Sequence, residues 1–116
     1  MRLKCFLTIA CLAAAAAAAA PAGAREPSAR KVAKMMADCA YVVNVAEANG
    51  VRLNHTSDDW GQWLSRYAEA NGFDAERQVE TAKAKYRKRS RVLGVDKALS
   101  DMIANARKCD QQLEAI

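Results

Sequence analysis

Downstream of Pro27 the chain reaches its end without another proline, and apolar residues recur there at three- and four-residue steps between glycine stops. That combination confines it to helices. Proline inside a helix deletes a backbone donor and clashes with the preceding turn, so its absence leaves long helices open. The apolar spacing then puts a stripe on one face of each. The first segment runs from Ser28 to Ala48 and halts near Asn49-Gly50. Val32, Met35, Met36, Cys39, Val43 and Ala46 make its stripe, widened by Tyr41, Val42 and Val45, which predicts a central helix. The second follows Asn54-His55-Thr56-Ser57, where Thr56 or Ser57 caps the free N–H groups. Asp58 and Asp59 face the positive end of its dipole. Trp60, Trp63, Leu64 and Tyr67 form its stripe, and Asn71-Gly72 closes it. Asp74 caps the third, which ends at Leu93 before Gly94 and has a thin apolar face of Val79, Ala82, Tyr86 and Leu93. The fourth takes Asp96 as its expected cap and Leu99, Met102, Ile103, Ala106, Cys109, Leu113 and Ile116 as its stripe. No strand pattern competes, so the predicted fold is all-α, a small bundle of about four helices.

The N-terminus has a different grammar. Arg2 and Lys4 precede an uncharged stretch from Cys5 to Ala20 that ends in consecutive alanines. Pro21 then breaks it, and Ala22-Gly23-Ala24 supplies small residues at the −3 and −1 positions of a cleavage site. This is the layout of a Sec-type secretory signal peptide over residues 1–24, cut after Ala24. The rival, an uncleaved anchor, is disfavoured because the apolar run falls short of the ~20 residues a spanning helix needs. Lipidation at Cys11 is disfavoured, because Thr8 stands where a leucine is usual at −3 and cutting there would leave an extremely short apolar region. The expected product is a single small helical domain, residues 25–116, in the periplasm or secreted, with no transmembrane segment after cleavage. Its 92 residues carry 16 basic and 13 acidic side chains, against a net +5 for the whole chain. So mild a basic balance predicts a weak preference for anionic partners and no particular activity.

Cleavage also removes Cys5 and Cys11, leaving Cys39 and Cys109. Two cysteines in an oxidising compartment have one internal pairing, and both lie on apolar stripes, one in the first helix and one in the last. The preferred reading is a structural Cys39–Cys109 disulfide bridging those helices, over buried free thiols or an intermolecular bridge. A redox-active pair would more often sit at Cys-x-x-Cys spacing, which is absent. With the signal peptide ahead of it and the distal Cys109 behind, Asp38-Cys39-Ala40-Tyr41 resembles a loose class of small uncharacterised exported helical proteins of proteobacteria. These carry a Cys-Ala-Tyr element in the first mature helix. The resemblance implies a helical fold and a periplasmic address, and supplies no activity or site residues.

The sharpest local feature is Lys83-Ala84-Lys85-Tyr86-Arg87-Lys88-Arg89-Ser90-Arg91. On a helix, Val79, Ala82, Tyr86, Ser90 and Leu93 share a narrow arc, and Lys83, Lys85, Arg87, Lys88, Arg89 and Arg91 wrap the remainder. Like charges four residues apart repel, which suggests an anionic counterpart: an acidic protein, lipid head groups, lipopolysaccharide or extracellular nucleic acid. The competing reading is a solvated face balanced by Glu76, Glu80 and acids on neighbouring helices. No exposed aromatics are interleaved, which disfavours a nucleic-acid platform. Trp60-Gly61-Gln62-Trp63 with Tyr67 could stack on sugars or peptides, but its spacing fits a core stripe better, with Gly61 allowing close packing. His55, the single histidine, has no second ligand nearby for zinc. Asn54-His55-Thr56 matches a glycosylation sequon, relevant only in a eukaryotic secretory route.

No nucleophile–base pair, phosphate loop or metal motif is present in the sequence, so no enzyme activity, metal or cofactor is expected. The leading expectation is an exported non-enzymatic protein that binds an acidic protein or anionic envelope surface through its basic helix face. The alternative is a module for self-association or a protein client, using an apolar or aromatic surface.

Overall fold

The structure, a computed structural model, describes residues 28–114. The expected signal peptide, its cleavage after Ala24, and Ile116 lie outside the described residues. Val32–Ile116 forms one compact unit. Four helices and no strand are found among the described residues: α1 over 28–48, α2 over Ser57–Asn71, α3 over Ala75–Leu93 and α4 over Val95–Glu114. The all-α expectation holds.

The ends of α2 and the start of α3 are set by the anticipated chemistry. Thr56 accepts from the Asp59 N–H while Asp59 accepts from the Thr56 N–H, a reciprocal capping box. Asp74 accepts from the Arg77 N–H to open α3. The α3–α4 joint departs from expectation. Asp96 is not the cap; it lies within the first turn of α4. Gly94 alone separates the two helices. Its N–H donates to the Ser90 carbonyl (2.9 Å), and its own carbonyl accepts from the Ala98 N–H (3.0 Å). Its φ of 92° with ψ 153° is a conformation essentially restricted to glycine.

The core gathers Cys39, Val42, Val43 and Ala46 of α1, Trp60 of α2, Tyr86 of α3, and Ala98, Met102, Ala106 and Cys109 of α4. α3 packs on both α2 and α4. Cys39 and Cys109 are bonded, with Cα atoms 5.8 Å apart and a sequence separation of 70. Met35 Sδ lies 3.8 Å from Cys39 Sγ, a sulfur–sulfur contact, since the bonded Cys39 carries no thiol hydrogen.

Three details correct the sequence reading. Leu93 is 48 % exposed rather than part of the α3 core face, because it is the last residue of that helix and α4 turns away at Gly94. Gly61 is not a close-packing device: a β-carbon there would meet nothing within 4 Å. Of the α2 aromatics, Trp60 is fully buried, whereas Trp63 and Tyr67 are half-buried. Trp63 stands edge-on to both Trp60 and His55, at centroid distances of 5.3 and 5.5 Å.

Candidate functional site on the basic face of α3

Tyr86 anchors this face. It is 1 % exposed, and its hydroxyl donates to Asp38 Oδ2 of α1 (2.8 Å) and accepts from Asn105 Nδ2 of α4 (3.1 Å). Tyr41 stacks at a tilt against it, with centroids 5.8 Å apart. Burial, and then the hydrogen bond and charge of Asp38, push the Tyr86 phenol up to about 12, against the opposing pull of the Asn105 donor and Arg89. The hydroxyl therefore stays a donor through the ordinary pH range.

Around this anchor the six cations divide into groups. Lys85 Nζ pairs with Asp38 Oδ1 at 2.6 Å and lies 4.8 Å from the Tyr86 ring centroid. Lys83 meets Glu80 at 3.5 Å across one turn, an exposed contact worth little. Arg89 is exposed, with its guanidinium carbon 5.2 Å from the same Tyr86 ring centroid. Arg87, Lys88 and Arg91 are exposed and form no ion pair among the described residues. The structure thus ties Lys85 into the fold and leaves most of the others facing solvent.

No protein-family model, curated protein or solved structure gives a significant match to this chain.

Two features escape a reading by stripes. Val92, Leu93 and Val95 are exposed at 74 %, 48 % and 71 %, an apolar corner where α3 meets α4. At 100° per residue Val92 lies about 120° around the helix from Tyr86, between Lys88 and Arg89. The second is Asp110, 7 % exposed on α4. It accepts from the backbone N–H groups of Asn54 (2.6 Å) and His55 (3.2 Å), fastening the α1–α2 loop to the last helix. Asn54 Nδ2 adds a bond to Glu114 (2.8 Å), so the sequon asparagine is engaged within the fold. A carboxylate on a helix carries no local signal that it will meet a loop more than fifty residues away. Among the described residues, no group of three or more His, Cys, Asp or Glu side chains is placed to hold a metal ion.

Proposed function

We propose that this chain is exported and acts outside the cytoplasm as a non-enzymatic helical protein that holds an anionic partner on the basic face of α3. One observation carries the reading. Arg87, Lys88, Arg89 and Arg91 stand exposed within two turns without a carboxylate partner among the described residues. Unpaired like charges so close together destabilise a helix slightly, and an anion would offset that. The disulfide supports the address, because thiols in the cytoplasm are kept reduced. No helix among the described residues is long and apolar enough to cross a membrane.

The test replaces Arg87, Lys88, Arg89 and Arg91 by glutamine. Lys85 is left in place, since removing it would strip Asp38 of its ion pair. A control variant loses the same number of exposed cations elsewhere, at Lys34, Arg52, Arg66 and Arg107. Retention on an immobilised polyanion should fall sharply for the α3 variant at unchanged helicity, fall less for the control, and weaken with added salt. Equal losses in the two variants would mean that only net charge matters and would sink the assignment to α3. Intact mass of the exported protein, with and without reductant and thiol alkylation, tests cleavage after Ala24 and the oxidation state of Cys39 and Cys109.

A further inference from the structure

The basic face and the exposed apolar corner are contiguous. Val92 follows Lys88 by four residues and Arg89 by three, so the three side chains neighbour one another on the outer surface of α3. Leu93 follows Arg89 by four. Past the single-residue joint, Val95 continues the apolar group onto α4. Between Arg87 and Lys97 the chain carries five cations and one carboxylate, Asp96. Lys97 is satisfied by Asp101 (3.2 Å), which leaves the four cations of α3 as the open charge. Large aliphatic side chains exposed together at the tip of a helical hairpin, rimmed by arginine and lysine, mark a contact surface rather than scattered surface apolarity.

The shape of this feature selects the partner. The corner is formed by the end of one helix and the start of the next, with its aliphatic side chains well exposed, and a fluid bilayer accepts such a tip without a matching pocket. Arginine and lysine reach to head-group phosphates while their stems and the neighbouring aliphatics lie against acyl chains. Resting on the proposed binding role of α3, we infer that the partner is an anionic lipid surface, into which Val92, Leu93 and Val95 insert while Arg87, Lys88, Arg89 and Arg91 hold the phosphates. The protein lies on the membrane by this corner and does not span it.

The experiment uses purified, disulfide-intact protein and flotation with two kinds of vesicle, phosphatidylcholine alone and equal parts phosphatidylcholine and phosphatidylglycerol. Three proteins are compared: the parent, the four-glutamine α3 variant, and a corner variant with Val92→Ser, Leu93→Ser and Val95→Ser. All the altered residues are exposed, and circular dichroism checks that helicity is retained. The parent should float with the anionic vesicles and not the neutral ones. The corner variant should bind anionic vesicles on the order of tenfold more weakly, yet keep parental retention on the immobilised polyanion. The α3 charge variant should lose both, about fivefold in vesicle affinity for each cation removed. A corner variant that floats like the parent would overturn lipid insertion and leave the polyanion reading standing. A parent that ignores anionic vesicles, or binds neutral ones equally, would overturn the lipid assignment too. Dimers in sedimentation that the corner variant abolishes, without vesicle binding, would make a second copy the occupant and equally overturn it. Loss of polyanion selectivity for α3 is a separate outcome and would count against the parent reading alone.

Discussion

Replacing Tyr86 by phenylalanine separates two contributions that the wild-type residue combines. The ring still fills the core, but the hydroxyl that donates to Asp38 and accepts from Asn105 is gone. A hydrogen bond to a charged acceptor contributes about 1.5–3 kcal/mol, so the variant should unfold that much more easily at neutral pH in denaturant titrations. The sign of the pH effect follows from the raised phenol, about 12 in the folded protein against the 10.0 usual for tyrosine. The stability tied to keeping Tyr86 protonated is fully present below pH 10 and is lost as pH climbs through 12, an amount on the order of 2 kcal/mol. The phenylalanine variant lacks this loss, so the gap between the two proteins should close across that window. In contrast, the buried Trp60 Nε1–H has no acceptor among the described residues, so that tryptophan stabilises through its packed area alone.

At the scale of elements, the loop between α1 and α2 is held from several directions. Asp110 grips its backbone from α4, and Glu47 at the end of α1 accepts from the Ser57 hydroxyl (2.6 Å) and backbone N–H (3.3 Å) at the start of α2. Asp110→Ala strands two backbone donors, each costing about 1–3 kcal/mol if they remain buried. Asp110→Asn keeps a carbonyl acceptor and should cost less. Amide hydrogen exchange should rise at Asn54 and His55 in both variants, most in the alanine one; unchanged protection there would show that other contacts hold the loop. This clamp also marks where sequence reading stops. The helices themselves were legible because their signals are local: the capping residues at Thr56 and Asp74, the glycine stops, and the spacing of Val42, Val43 and Trp60. The α4 start differs from the sequence reading because Asp96 has the chemistry of a cap, whereas the helix already begins at Val95 with the Gly94 carbonyl accepting its first backbone bond. The basic run of α3 was visible as composition. Which of its members are consumed by the fold was not, since Asp38 reaches Lys85 only once α1 and α3 are packed.

For the whole molecule, the Cys39–Cys109 bond is the constraint with the widest reach. The pairing could be anticipated because both cysteines lie on apolar stripes and the other two, Cys5 and Cys11, fall in the expected signal peptide. Closing 70 residues contributes about 4 kcal/mol in the loop-entropy model, comparable with the ~3–5 kcal/mol that a core of this size supplies. A Cys39→Ala, Cys109→Ala double variant should therefore lose about 4 kcal/mol of unfolding free energy in denaturant, enough to leave it marginally folded. Both sulfurs belong to buried residues, so reductant should act on the native protein only as fast as the core opens. The same bond also has a mechanical consequence. A pull applied from either side of the cross-link loads it directly, because the covalent path through the two sulfurs is far shorter than the 70-residue path between the cysteines. Everything from Cys39 to Cys109 is then shielded from tension, and cutting the bond releases roughly 240 Å of hidden chain at ~3.4 Å per residue. Under strain, the α3–α4 corner stays in place for as long as that one covalent link survives.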